Sequence, residues 1–249
     1  MIHFSHSGRM GDVFYSLYFC KHIANGEPFA FDLHTGVRAW DPSNRPFMMT
    51  PSDAAFFFQL LRAQPYITDV TISEGFRDAQ FRNLDEFRDN MRRIIGREIR
   101  QWYFDAAGIA PVSFEKPVLT IPDRPESTQD HIAVCFTPRY RSALNPSALE
   151  PFKDKIVFVG LPSEHRAFCS AVFPVEFYPV SSMLEMLQFI ASCRVFVGNV
   201  SGVYAAVECS KLPRILCVAP DGGNVRAYGQ EGFEVRTETE LQKAISYFL

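Results

Sequence analysis

No apolar run in these 249 residues approaches the roughly 20 needed to cross a bilayer, so no membrane-spanning helix is expected. The six cysteines, Cys20, Cys135, Cys169, Cys193, Cys209 and Cys217, contain no C-x-x-C pair. That absence removes zinc ribbons and thioredoxin-like redox sites. Several of the cysteines lie in apolar runs, which predicts reduced, buried thiols and a cytoplasmic protein. H-E-x-x-H, a Walker A lysine loop and a G-x-S-x-G elbow are also missing. Zincin, P-loop and serine hydrolase chemistry are thereby unsupported, and no metal site is expected. Nor is there an excess of positive charge. Lys and Arg number 25 against 28 Asp and Glu, a formal net charge of −3. That balance argues against a general nucleic-acid binder. No secretory leader is visible, because Met1 runs directly into a short apolar segment and a glycine loop. Peripheral contact at the inner membrane surface stays open.

What the sequence does have is a repeated β–α pattern. Hydrophobic residues are 47% of the total, enough for a large core, and 24 of them are Phe. Residues 2–6, 29–33 and 67–72 read as strands, and residues 12–24 as a helix. A second helix is expected from a cap at Ser52 or Asp53 to about Ala63, and a long one over 84–104. The loop at 36–52 carries Pro42, Pro46 and Pro51. Four prolines, Pro111, Pro117, Pro122 and Pro125, fall among polar residues and mark a linker, since they cannot all occupy regular structure. Beyond it, strands are expected at 132–136, 155–159, 194–197 and 215–218. Pro146 opens a short helix after Asn145, and further helices follow Glu164, Ser182, Ser201 and Thr237. Apolar, β-branched strands alternating with helices imply parallel sheets covered on both faces. The fold class is therefore α/β, with two Rossmann-like domains facing a cleft, over residues 1–125 and 126–249.

Several short segments carry chemistry. Ser5-His6-Ser7-Gly8-Arg9-Met10-Gly11-Asp12 places a glycine loop between strand and helix, where ligands bind in open α/β sheets. Asp12 suits a general base, and equally a helix cap. Gly8, Arg9 and Gly11 form the rest of that loop. In the second half, Gly198-Asn199-Val200-Ser201-Gly202 presents backbone N–H groups and a helix N-terminus, which suits a phosphate or an ordinary Ser cap. Thr137-Pro138-Arg139-Tyr140-Arg141 follows a strand of the same half; Arg139 and Arg141 suit a phosphate clamp or surface ion pairs. Gly160 and Glu164 follow another strand, and Glu164 can accept from a ribose or cap its helix. Arg88, Arg92, Arg93, Arg97 and Arg100 alternate with acidic residues on the long helix, which reads as a solvated face. Asp221 to Asn224 reads as a turn.

The segment Met10-Gly11-Asp12-Val13 resembles the N-terminal motif of glycosyltransferase family 9, the ADP-heptose lipopolysaccharide heptosyltransferases. The order from Ser182 through Leu212-Pro213 is similar too: helix, strand, Val-Gly, Ser-Gly, helix, then Pro before a core strand. The resemblance implies a GT-B fold, with an acceptor-side first domain and a nucleotide-sugar-binding second domain. It implies an inverting, metal-independent transfer of a sugar from a nucleotide-sugar to a hydroxyl acceptor such as a glycan or lipopolysaccharide, without a cofactor. Asp12 takes the role of catalytic base. Arg139, Arg141, Ser201 and Gly202 would hold the donor diphosphate, and Thr137, Gly160, Glu164 and Asn199 its nucleoside or sugar. The sequence departs from the family at Val200, where Asp is common, and at Ala205, where His is common. The lysine near the phosphate loop has no counterpart other than Arg139 or Arg141. Those departures support a second reading, a catalytically silent nucleotide- or glycan-binding module. A third keeps the enzyme and makes a modified DNA base the acceptor, against which the acidic charge weighs.

Overall fold

The computed structural model describes residues 1–39, 46–74, 80–90, 98–123, 130–138, 142, 144–219 and 224–249. The polypeptide divides into two compact units. The first comprises Met1–Phe114 and Val118–Thr120, the second Glu115–Pro117 and Ile121–Leu249.

The first unit is built on four parallel strands, β1 (Ile2–His6), β2 (Phe29–Thr35), β3 (Ile67–Glu74) and β4 (Arg82–Asn83), in the order β3-β2-β1-β4. All seven residues of β2 are buried, as expected of an interior parallel strand. Helix α1 (Met10–Ala24) follows β1, and α2 (Pro51–Arg62) precedes β3. The N-cap of α2 is Thr50, not Ser52 or Asp53. Its hydroxyl accepts from the Asp53 N–H at 3.1 Å while Asp53 accepts from the Thr50 N–H at 3.0 Å. Pro51 then takes the first helical position, where a missing N–H costs nothing. The expected long helix over 84–104 is not formed as one element. Leu84–Asn90 is a 3-10 turn, residues 91–97 lie outside the described set, and α3 spans Ile99–Ala106. Arg92, Arg93 and Arg97 are therefore among residues of which nothing is described.

Nor is its surviving part a solvated face. Arg100 is fully buried, paired to Glu98 at 2.5 Å, with its guanidinium 5.1 Å from the ring centres of both Tyr15 and Phe114.

The second unit holds six parallel strands, β5 (Ile132–Cys135), β6 (Ile156–Phe158), β7 (Glu176–Phe177), β8 (Val195–Gly198), β9 (Arg214–Cys217) and β10 (Gly232–Val235). Their order is β10-β9-β8-β5-β6-β7. The two-residue β7 and the short β10 have no counterpart among the expected strands. Asn145 caps a 3-10 segment, Pro146–Lys155; Pro151 inside it denies the backbone an α-helical i→i−4 bond there. Helices α4 (Pro162–Ala171), α5 (Met183–Ser192), α6 (Gly202–Ser210) and α7 (Glu238–Phe248) complete the unit. Thr237 and Glu240 form a full capping box on α7. Ile132, Val134, Val195, Val197, Ile215, Leu241 and Ile245 belong to one buried cluster between sheet and helices. A buried ion network also ties α6 to β9: Arg214 and Lys211 both contact the Glu208 carboxylate, and Arg214 also bonds the Tyr228 carbonyl.

All six cysteines lie among the described residues and no disulfide joins them; Cys169 alone is partly exposed. Among the described residues no helix is long and apolar enough to cross a membrane.

Candidate active site

In the first unit the sheet order reverses between β1 and β4. The backbone leaves β1 toward β2 on one side, and β4 arrives on the other. In open α/β sheets, ligands bind at such a switch point, beyond the carboxyl ends of the strands. The switch point brings the Ser7–Arg9 loop against the 3-10 turn that follows β4. Asp12 occupies the third position of α1, where its carboxylate meets the positive end of the helix. Its Oδ2 accepts from the Arg9 N–H at 3.2 Å, so the capping role is present. The same oxygen accepts from Arg88 Nη2 at 3.1 Å. Among the described residues Oδ1 has no hydrogen-bond partner. The Asp12 and Arg88 side chains are 20% and 25% exposed, at a solvent boundary rather than in the core.

Arg88 also reaches Asp85, with Nε 3.3 Å from Oδ1. Asp85 accepts from the Ser7 N–H at 3.0 Å and the Ser7 hydroxyl at 2.7 Å. Burial by itself would raise the Asp85 carboxyl. The His6 ring, the Arg88 guanidinium and the Ser7 hydroxyl outweigh burial and hold it well below the usual carboxylate range. Burial opposes the charge on Arg88 too, but Asp12 and Asp85 more than offset it, so the guanidinium stays charged.

His6 is fully buried beneath the loop. Its Nδ1 lies 2.8 Å from the Gly8 N and 3.1 Å from Asp85 Oδ1. With Nδ1 bare, the Gly8 N–H donates to it. Nε2–H then faces Tyr103 Oη at 2.8 Å, and the Tyr103 hydroxyl donates to the Asp12 carbonyl at 2.9 Å. With Nδ1 protonated, the ring pairs with Asp85 and Gly8 loses its acceptor. Burial, then the nearby Asp12 carboxylate, keep the Tyr103 phenol well above its ordinary value, so it remains a donor. Gly8 is required here: a Cβ on it would sit 2.4 Å from His6 Cε1 and 2.5 Å from Arg88 Nη2.

Sequence reasoning names Gly8, Arg9, Gly11 and Asp12 but misses His6, Ser7, Asp85, Arg88 and Tyr103 as their partners. Arg88 is no part of a solvated helix face. The only sequence signal for it is its place in an arginine-rich stretch.

The second unit has its own switch point, between β5 and β8. Asn199 and Thr137 clasp across it. Thr137 N–H donates to Asn199 Oδ1 at 3.0 Å, and Asn199 Nδ2 donates to the Thr137 carbonyl at 2.7 Å. Gly198 ends β8 so close to β5 that a Cβ would lie 2.8 Å from the Cys135 carbonyl oxygen. Ser201 caps α6, accepting from the Tyr204 N–H at 3.0 Å, and Gly202 opens the helix. Gly160 adopts φ +142°, and a Cβ there would lie 3.1 Å from Glu164 Oε2 and 3.3 Å from Cys135 Sγ. Glu164 Oε2 accepts from the Leu161 N–H at 3.1 Å, so in this structure it caps α4. Cys135 is the unanticipated hub. Burial and the Glu164 carboxylate push its thiol far up, against a bond with Ser201.

Thr137, Gly160, Asn199, Ser201 and Gly202 are thus gathered at the carboxyl ends of β5, β6 and β8. Arg139 and Arg141 lie outside the described residues, as do residues 220–223. Ala205 is fully buried, its N–H bonded to the Ser201 carbonyl, and offers no side chain to a ligand. His165 stacks on Phe177, packs against Phe158 and contacts the Val175 carbonyl. Among the described residues no group of three or more His, Cys, Asp or Glu side chains is arranged to hold a metal ion.

No protein-family model and no curated protein matches the sequence. Solved structures do. A glycosyl transferase family 9 protein from Veillonella parvula is 11% identical and superposes with a TM-score of 0.62, over 99% of this protein and 88% of that one. The E. coli heptosyltransferase WaaC with ADP is 14% identical, with a TM-score of 0.55 and 100% of both proteins covered. The same enzyme with ADP-2-deoxy-2-fluoro heptose is 13% identical, with a TM-score of 0.54 over 100% of both proteins. The protein therefore has the GT-B-like fold of glycosyltransferase family 9 and the heptosyltransferases.

Proposed function

We propose that the protein is an inverting, metal-independent glycosyltransferase that moves a sugar from a nucleotide-sugar to a hydroxyl acceptor, with no cofactor. The observation that carries this reading is Asp12. It stands at the switch point of the first unit on a framework like that of the heptosyltransferases, with one oxygen anchored and one without a partner among the described residues. Asp12 takes the proton of the acceptor hydroxyl. The acceptor oxygen bonds to the anomeric carbon as the carbon–diphosphate bond breaks, and the nucleoside diphosphate leaves with that electron pair. One displacement with one base inverts the anomeric centre. The first turn of α6, at Ser201 and Gly202, stabilises the leaving group with backbone N–H groups and the helix dipole, joined by Arg139 and Arg141. Asn199 and Thr137 shape the floor for the nucleoside.

The matched heptosyltransferases hold ADP or an ADP-heptose analogue, which makes ADP-heptose the first donor to try. The test is a thermal-shift screen of ADP- and UDP-sugars, followed by an assay of nucleoside diphosphate release. A ligand at 100 times its Kd adds about 2.7 kcal/mol of stability. Stabilisation with release supports the enzyme. Stabilisation without release favours a silent binding module, a reading to which the buried Ala205 and the Val200 position lend support. No stabilisation by any nucleotide-sugar contradicts both.

A further inference from the structure

We infer that Arg88 is the positioning residue of the base: it grips Oδ2 of Asp12 so that Oδ1 is the oxygen turned to the acceptor hydroxyl. The inference rests on the reading of Asp12 as base. A capping Asp needs only the Arg9 N–H, which it has. The Arg88 contact is additional, and it is prepared from several sides. The guanidinium lies 4.8 Å from the Phe87 ring centre. Its Nε is anchored by Asp85, which is itself fixed by two donors of Ser7. The bare Gly8 keeps the lane to Asp12 open, since a Cβ would collide with Nη2. The backbone of residue 12 is held separately by Tyr103. Carboxylate and backbone are thus fixed from opposite ends, an arrangement that lowers the reorganisation needed at the moment of proton transfer.

The charges agree with this assignment. Arg88 from the 3-10 turn meets the Asp12 carboxylate and Tyr103 from α3 its carbonyl, while Asp85 meets Arg88, and His6 meets both Asp85 and Tyr103. Arg88 is the permanent cation among them, set between two carboxylates. Without it, the two carboxylates lose the cation that bridges them, and Oδ2 of Asp12 keeps only the Arg9 N–H among the described residues. Three of its five N–H donors remain unused among the described residues, on a quarter-exposed side chain. A lysine has one point charge and cannot bridge both carboxylates in a fixed plane.

The test uses the full-length protein with ADP-heptose, following ADP release with water or a lipopolysaccharide core oligosaccharide as acceptor. Arg88→Ala should lower kcat about 10²-fold, the low end for a misplaced acid–base group, with the KM for ADP-heptose changed less than about threefold. Millimolar guanidinium ion should restore about tenfold of the loss in Arg88→Ala and none in Asp12→Asn, and the kcat of Arg88→Lys should fall between those of Arg88→Ala and the parent. Circular dichroism and melting identify any variant that fails to fold, in which case the Lys variant decides. A kcat within about threefold of the parent in a folded Arg88→Ala overturns the inference. So does a loss that neither guanidinium nor lysine recovers. If Asp12→Asn releases ADP as fast as the parent, the base reading itself fails, and the Arg88 role fails with it. If Asp12→Asn is inactive while folded Arg88→Ala is unimpaired, only the Arg88 role fails.

Discussion

Replacing Asn199 by Ala tests the clasp at the switch point of the second unit. Asn199 is 3% exposed and makes two short bonds to Thr137, one from each end of its amide. Deleting the amide leaves a backbone N–H and a backbone carbonyl of Thr137 without these partners. Removing one partner of a buried polar group costs about 1–3 kcal/mol. Thr137 is only half-buried, so water can reach it and the low end applies to each group. The sum is about 2 kcal/mol, equivalent to about 6 °C in the melting of this unit at roughly 3 °C per kcal/mol. Asn199→Asp refines the test. It keeps an acceptor for the Thr137 N–H but turns an oxygen toward the Thr137 carbonyl, now 2.7 Å from Nδ2. At neutral pH it should be at least as damaging as Ala; burial beside the Thr137 carbonyl raises the introduced carboxyl above its ordinary value, and as pH falls the protonated carboxyl regains its donor and part of the stability. Urea unfolding followed by circular dichroism measures both. A loss under about 0.5 kcal/mol in Asn199→Ala, the range of ordinary surface changes, would refute the reasoning.

Two further outcomes follow from the first unit. Gly8→Ala forces the buried His6 ring or Arg88 to move; it should cost about 1–3 kcal/mol of stability and at least tenfold in kcat, and an unchanged melting temperature with full activity would contradict the packing described. Asp85 is held below its unfolded value, so its stabilising contribution is full above the ordinary Asp value of about 4 and is lost as pH falls below it. The stability difference between the parent and Asp85→Asn, read from urea midpoints, should therefore shrink from pH 6 toward about pH 2; a difference that does not vary with pH would contradict the pairing to His6, Arg88 and Ser7.

The parts of the fold that a local pattern could reveal were legible. The run Ile2 to Val13 shows strand, glycine loop and helix within a dozen residues. Thr237 and Glu240 announce a helix start because both halves of the box lie three residues apart. Asp12 was legible as a candidate for the same reason. Its partners were not. Arg88 and Asp85 reach the β1 loop only because two residues of β4 pair with Phe4 and Ser5. A two-residue strand has too few positions to show a period. The charge alternation after Leu84 imitates a solvated helix, although Leu84–Asn90 is a 3-10 turn folded over the site. Tyr103 lies 91 positions from Asp12, a juxtaposition no spacing rule records. In the second unit, Asn199 and Ser201 were legible from the strand–glycine–serine order, whereas Cys135 became a hub only when β5, β6 and β8 were laid side by side.

The central claim is that Asp12 is the base of a sugar transfer, and Asp12→Asn tests it most directly. The amide keeps the side-chain shape but cannot take a proton. With ADP-heptose and a core oligosaccharide acceptor, the variant should bind the donor as tightly as the parent by calorimetry and lose at least about 10²-fold in transfer. Transfer within about tenfold of the parent, a barrier change of only about 1.4 kcal/mol, would contradict the account.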